Sequence, residues 1–132
     1  MKNIILASGL VALSFALCAQ SKVYRDVSAS GFKAAMDSLP NAIILDLRTA
    51  DELKAGIIPD AKQIDYFSKQ FEEQIDKLDR SGIYFVYCAG GGRSGEAKDL
   101  MKEKGFACVY NLEGGFTAWK KQKMPVTLPH GQ

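Results

Sequence analysis

The chain has 132 residues and a formal net charge of +2, and 47% of its residues are hydrophobic while 24% are charged. This length gives room for one domain with a single hydrophobic core, and the composition is that of a folded protein, which excludes a disordered chain. Because the lysines and arginines are scattered among acidic residues, the charge pattern gives no reason to expect nucleic acid as a partner.

The first nineteen residues have the layout of a secretory leader. Lys2 supplies a positive start, and the apolar stretch over residues 4–17 is too short for a comfortable membrane span. We therefore predict a signal peptide over residues 1–19, cleaved after Ala19, followed by one exported, periplasmic domain over residues 20–132. A lipoprotein signal that carries lipid on Cys18 is a less favoured alternative because Leu17, which precedes that cysteine, is larger than usual. A retained membrane anchor is favoured least.

Cleavage of such a leader would leave two cysteines in the domain, Cys88 and Cys108. An oxidising compartment permits a disulfide between them. Against that pairing, Cys108 lies in the apolar run F-A-C-V-Y, which is typical of a buried strand with a core thiol. The spacing C-x-x-C of a thioredoxin-type site does not occur, and two cysteines with His130 do not form a metal-binding pattern. We predict no metal and no cofactor.

Helix and strand signals alternate along the domain. Thr49 and Glu52 have capping-box spacing for a short helix that stops at Gly56. Two continuous apolar runs, residues 42–47 and 83–87, are typical of strands buried on both faces. The other helical patterns cover residues 29–37, 67–78, 94–104 and 115–121, and the other strand patterns cover residues 62–64 and 107–110. This alternation predicts an α/β domain with a parallel sheet covered by helices on both faces.

The segment Y-C-A-G-G-G-R-S-G-E-A combines the features of a chemical site. Cys88 ends an apolar strand at the sheet edge where α/β proteins bind ligands, and a helix starts soon after it. The free N–H groups at that helix start favour the thiolate, which is the nucleophilic form of cysteine. Arg93 adds a permanent positive charge, and the glycines from Gly90 to Gly92 permit a loop whose N–H groups face the sulfur. The alternative is a packed cysteine beside an ordinary surface loop. It would require the strand end, the donor-rich loop and the arginine before a helix to coincide by accident.

The region over residues 28–126 resembles the rhodanese-type (thiosulfate sulfurtransferase) family, and three segments in order carry this resemblance. They are I-I-L-D-L-R-T-A-D-E-L-K-A-G-I-I-P-D-A, the cysteine segment above, and N-L-E-G-G-F-T-A-W. The resemblance implies a three-layer α/β fold with a five-stranded, largely parallel sheet between helices. It also implies a reaction in which the cysteine takes a sulfane sulfur from a small anionic donor such as thiosulfate. The resulting persulfide then passes that sulfur to a thiophilic acceptor, cyanide or a thiol.

The resemblance also assigns roles to residues. Cys88 is the expected nucleophile. The groups expected to hold the donor and the persulfide are Arg93 and the loop N–H groups of Ala89, Gly90, Gly91, Gly92 and Ser94. Asp46 and Arg48 match positions that help to order the site, although from the residues alone they could be an ordinary surface pair. We interpret four further residues as architectural, forming a tight turn and a core anchor: Glu113, Gly114, Gly115 and Trp119. The chain departs from the family at Ile57, where histidine is common, and we interpret this position as mainly structural.

Two other functions have to be weighed against sulfur transfer. Related phosphatases and arsenate reductases have one more residue between cysteine and arginine, whereas here only residues 89–92 intervene, so that the tighter loop suits a persulfide. A persulfide carrier for a protein partner, with little turnover of its own, is the second alternative. The bare rim of alanine and glycines suits small inorganic donors and does not specify the physiological donor or acceptor.

Overall fold

The computed structural model describes residues 21–130, which contain one five-stranded sheet. The strands are β1 (Val23–Val27), β2 (Ile43–Asp46), β3 (Lys62–Gln63), β4 (Ile83–Tyr87) and β5 (Cys108–Leu112). Their order across the sheet is β1-β5-β4-β2-β3, and each neighbouring pair is parallel. The predicted leader, its cleavage site and the alternative lipid site at Cys18 lie outside the described residues. Within residues 21–130, no helix is long and apolar enough to cross a membrane.

Residues 21–130 also contain five helices, of which the first four connect successive strands and the fifth follows β5. They are α1 (Ala29–Ser38), α2 (Ala50–Leu53), α3 (Phe71–Asp76), α4 (Gly92–Glu103) and α5 (Gly115–Lys121). Ser28 caps α1 by accepting a hydrogen bond from the N–H of Gly31. The predicted capping box is present at α2, where the Thr49 hydroxyl accepts from the N–H of Glu52 and the Glu52 carboxylate accepts from the N–H of Thr49.

The hydrophobic core lies in two layers, one on each face of the sheet. On one face of the sheet, Met101 of α4 and Ile75 of α3 cluster with Val86 of β4. On the other face, Phe32 of α1 and Trp119 of α5 cluster with Phe85 of β4. Because the apolar runs of β2 and β4 are covered on both sides, the structure confirms the three-layer α/β fold that the sequence predicted.

The element boundaries differ most from the sequence prediction at three places. The strand patterns did not include β1, an edge strand in which Arg25 and Asp26 are exposed. The predicted helix over residues 67–78 is shorter, because it forms only at Phe71–Asp76 and Phe67 is exposed. The predicted helix over residues 94–104 begins earlier, at Gly92, so that its first N–H groups belong to the cysteine loop.

The two cysteines of the domain lie at different heights along neighbouring strands. Cys108 pairs in register with Ile83, five residues before Cys88. At about 3.3 Å per residue this separates the two cysteines by about 16 Å along the strand direction, whereas a disulfide needs Cα atoms within about 7 Å. Cys88 is a free thiol. The alternative of a Cys88–Cys108 disulfide is therefore wrong.

Candidate active site

Cys88 directly follows β4 and its sulfur lies inside the loop that leads into α4. The residue is 1% exposed. Its Sγ accepts a hydrogen bond from the N–H of Gly91 at 3.1 Å and a second from the hydroxyl of the buried Ser94 at 3.4 Å. The structure thus brings together the predicted nucleophile and two members of the predicted cradle. A sulfur that accepts two hydrogen bonds is in the right setting to carry a negative charge.

The pKa of the Cys88 thiol reflects two opposing effects. Burial raises it because a thiolate loses hydration. Hydrogen bonds from the Ser94 side chain, and then from the backbone N–H groups of Ser94, Gly91 and Gly90, lower it by more, so that the net pKa lies below its ordinary value. The loop therefore favours the thiolate, the reactive form of cysteine.

Gly91 is the loop residue whose conformation most requires glycine. Its φ is +100°, which side chains resist, and it stands at the N-cap of α4. A Cβ at this position would also lie 3.2 Å from the amide nitrogen of Gly114 and 3.3 Å from the carbonyl oxygen of Leu112. By contrast, a Cβ at Gly90 or Gly92 would meet nothing within 4 Å. Those two glycines leave the rim of the loop bare, as the sequence predicted.

The first residues of α5 form hydrogen bonds to the backbone of the cysteine loop. The N–H of Phe116 donates to the carbonyl of Cys88 at 2.8 Å, and the N–H of Thr117 donates to the carbonyl of Ala89 at 3.1 Å. This close approach needs glycine at Gly115, since a Cβ there would lie 2.5 Å from the Ala89 oxygen. The predicted architectural turn therefore positions the reactive loop, and Trp119 is fully buried as its core anchor.

Asn111 also supports the loop, and sequence reasoning missed it. This residue of β5 is 4% exposed, and its amide nitrogen donates to the carboxylate of Asp26 at 3.0 Å and to the carbonyl of Gly91 at 3.4 Å. A polar residue next to apolar Leu112 on a buried strand is the signal that could have pointed to it. Asn111 therefore links the cysteine loop to β5.

Arg93 is paired with a partner that the sequence did not predict. Its guanidinium makes a two-bond ion pair with the carboxylate of Glu52, at 2.8 and 2.9 Å, and lies 5.2 Å from the ring centroid of Phe67. The pairing raises the pKa of Arg93, and an interaction with Cys88 raises it further. The same pairing, together with hydrogen bonds from Thr49 and against the effect of burial, lowers the pKa of Glu52 to about 2. Glu52 stood out in the sequence only as a capping residue.

Asp46 and Arg48 form a buried pair, so the alternative of an ordinary surface pair is wrong. Their charged atoms are 2.7 Å apart, and the two side chains are 1% and 3% exposed. The hydroxyl of Tyr87, the residue before Cys88, donates to the Asp46 carboxylate. Arg48 donates to the carbonyls of Gly56 at 2.8 Å and Glu52 at 3.3 Å. The pair therefore ties the end of β4 to the segment that carries the Glu52 carboxylate.

Ile57 has structural contacts. It is 6% exposed, and it forms an isolated antiparallel bridge with Thr127 through hydrogen bonds of 2.7 and 2.9 Å. Ile57 therefore holds the C-terminal segment around Thr127 against the domain.

The similarity of this chain to known proteins agrees with the fold. A family model for the rhodanese-like domain matches residues 28–122. A sulfurtransferase of Allochromatium vinosum is 32% identical over 91 residues, which are 69% of this chain and 83% of that protein. A putative sulfurtransferase of Bacillus subtilis is 29% identical over 101 residues, which are 76% and 95% of the two chains. The crystal structure of a rhodanese-related protein from Thermoplasma volcanium has a TM-score of 0.69 at 29% identity, and the match covers 80% of this chain and all of that one.

Proposed function

The chain belongs to the rhodanese-like domain family, whose sulfurtransferase relatives support sulfur transfer as its general chemistry, and we propose that it transfers sulfane sulfur through a persulfide on Cys88. The observation that carries this proposal is the cysteine loop itself. A free thiol with a lowered pKa accepts hydrogen bonds from Gly91 and Ser94 at the carboxyl end of β4.

The first step is a displacement at sulfur. The Cys88 thiolate attacks the outer sulfur of a donor such as thiosulfate, a new S–S bond forms, and the S–S bond of the donor breaks. Its electron pair leaves with sulfite. One thiolate and one dianion thus become one persulfide anion and one sulfite dianion, so that charge balances and no external oxidant or reductant is needed.

The second step regenerates the enzyme. A thiophilic acceptor, cyanide or a thiolate, attacks the outer sulfur of the persulfide and forms its own bond to that sulfur. The S–S bond to Cys88 then breaks and returns the thiolate. With cyanide the product is thiocyanate. The loop donors that favour the thiolate also favour the anionic persulfide, because the charge moves outward by only one atom.

The donor is held by groups that surround the mouth of the loop. The predicted contacts are the N–H groups from Ala89 to Ser94 and the guanidinium of Arg93, whose pKa is raised by an interaction with Cys88. Positive groups aimed at the position of the incoming anion lower the cost of bringing two negative charges together. Asp46 and Arg48 act indirectly in this account, since they fix the backbone around the site.

A persulfide relay to a protein acceptor is the alternative that the site geometry also favours. A Cβ at Gly90 or Gly92 would meet nothing within 4 Å, which leaves room for a partner's thiol to approach. We place the protein in an exported, periplasmic compartment on the strength of the leader pattern alone, and we expect no nucleic acid, metal or cofactor to take part. A phosphatase or arsenate reductase is disfavoured by the four-residue spacing between Cys88 and Arg93.

The test is a thiosulfate–cyanide assay on the full chain beside Cys88→Ser. We expect thiocyanate from the wild type and none from the variant. Arg93→Ala should raise the KM for thiosulfate while the far-UV circular dichroism spectrum stays unchanged, because Arg93 belongs to the mouth of the site and not to the core. Turnover of a phenyl phosphate without turnover of thiosulfate would contradict the proposal.

A further inference from the structure

The positive charge at the mouth of the site is already neutralised by an acidic side chain. Arg93 and Glu52 are 41 positions apart in sequence, yet both carboxylate oxygens meet the guanidinium. The two side chains are only 19% and 32% exposed, so water screens them less than a surface pair. A donor that approaches Cys88 therefore meets a guanidinium and a carboxylate together, and the charges of these two groups cancel.

Several contacts keep this pair in place. The Glu52 carboxylate also accepts from the N–H and the hydroxyl of Thr49, which fixes its position at the start of α2. The ring of Phe67 lies over the guanidinium. Arg93 cannot turn away from Glu52 towards an anion without losing these contacts.

We infer that Glu52 is a specificity-determining residue, which makes the site prefer singly charged sulfane-sulfur donors to doubly charged ones. The inference rests on the proposed sulfur transfer and deepens it. Thiosulfate brings two negative charges to a site whose local cation is paired, whereas an organic thiosulfonate offers the same outer sulfur with one charge. The reaction of a thiosulfonate balances in the same way, since the thiolate gains the sulfur and a sulfinate monoanion leaves. Removal of the Glu52 charge should therefore help the dianion more than the monoanion.

Glu52→Gln is the matched change, because glutamine also serves at this position of a capping box and can still accept from Arg93. Asp51→Asn is the control. It removes one negative charge from the neighbouring position of α2, where Asp51 is 89% exposed and pairs with Lys54 and not with Arg93. Thermal unfolding of each variant shows whether its fold is retained.

The first measurement compares kcat/KM for thiosulfate and for methanethiosulfonate, with cyanide as the acceptor. We expect Glu52→Gln to raise the thiosulfate-to-methanethiosulfonate ratio about fivefold, which is the order of effect of one partly screened unit charge near the donor. Asp51→Asn should leave the ratio unchanged. An equal ratio in wild type and Glu52→Gln, or an equal shift in both variants, would overturn the inference.

The second measurement does not depend on sulfur transfer. The rates at which anionic iodoacetate and neutral iodoacetamide alkylate Cys88 are compared, with the product identified on its peptide. Their ratio cancels any change in the pKa of the thiol, and we expect Glu52→Gln to raise the iodoacetate-to-iodoacetamide ratio by a similar factor. A wild type that is alkylated at Cys88 but transfers sulfur from neither donor would contradict the proposed function, and the alkylation ratio would still decide the role of Glu52. An unchanged alkylation ratio overturns that role.

Discussion

Replacement of Ser94 by alanine tests how the loop activates its thiol. The Ser94 hydroxyl is fully buried and donates to Cys88 Sγ at 3.4 Å, and among the hydrogen bonds it makes the largest contribution to lowering the pKa. A hydrogen bond to a charged group is worth about 1.5–3 kcal/mol, and at this length the lower end applies, so that Ser94→Ala should raise the pKa of Cys88 and disfavour the thiolate about tenfold. The backbone N–H groups remain, and they keep part of the activation.

The sign of the effect follows from which form the hydroxyl stabilises. It donates to the thiolate, so its loss favours the thiol, and the pH at which Cys88 is half ionised rises. The assay is the pH dependence of iodoacetamide alkylation, followed on the peptide that contains Cys88. Below the pKa, the rate should fall about tenfold at a given pH. Ser81→Ala is the control, because that hydroxyl donates to Asp79 in the turn before β4. A midpoint that is unchanged or lower in Ser94→Ala would contradict activation of the thiol by the Ser94 hydroxyl.

Three further predictions concern the supports of the site. Gly115→Ala should reduce the free energy of unfolding in urea by about 2 kcal/mol more than Gly105→Ala, because both residues have positive φ but only the methyl at Gly115 meets a loop carbonyl, at 2.5 Å. Equal losses would contradict this. Arg48→Met should cost about 3–5 kcal/mol in the same experiment, since it leaves the Asp46 carboxylate buried without its partner, and a loss below about 1 kcal/mol would be too small for a buried pair. Because Glu52 has a pKa of about 2, its charge is present above that value and lost only as the pH falls through it. The iodoacetate-to-iodoacetamide ratio should therefore stay flat from about pH 5 to 8, and a step in that range would contradict the pairing.

Local patterns were sufficient to predict the parts of the fold that bury continuous apolar runs. The strands at β2 and β4, the capping box at Thr49 and the final helix all follow from short-range signals. The strand β1 was not predicted because, as an edge strand, it carries polar residues and has no continuous apolar run. The sequence prediction for α3 began too early, at Phe67, because this residue has helical spacing. In the structure its ring lies over Arg93 and not in the core.

The chemistry of the site was predictable where it lies within one segment. The cysteine, the glycines and the start of α4 are contiguous, so that the position of Cys88 relative to its backbone donors follows from the sequence. The pairing of Arg93 with Glu52 joins residues from separate elements, and no local signal indicates it. The burial of Asp46 and Arg48 likewise depends on Tyr87 and Phe116, whose rings lie near the guanidinium only in the folded chain.

The proposed mechanism requires that Cys88 itself carries the transferred sulfur. The most direct measurement is the mass of the Cys88 peptide after the protein has reacted with thiosulfate and excess donor has been removed. We predict a gain of one sulfur atom on that peptide, which disappears when cyanide is added and thiocyanate appears in equal amount. No gain on this peptide, or a gain that cyanide cannot remove, would contradict a persulfide on Cys88 as the intermediate.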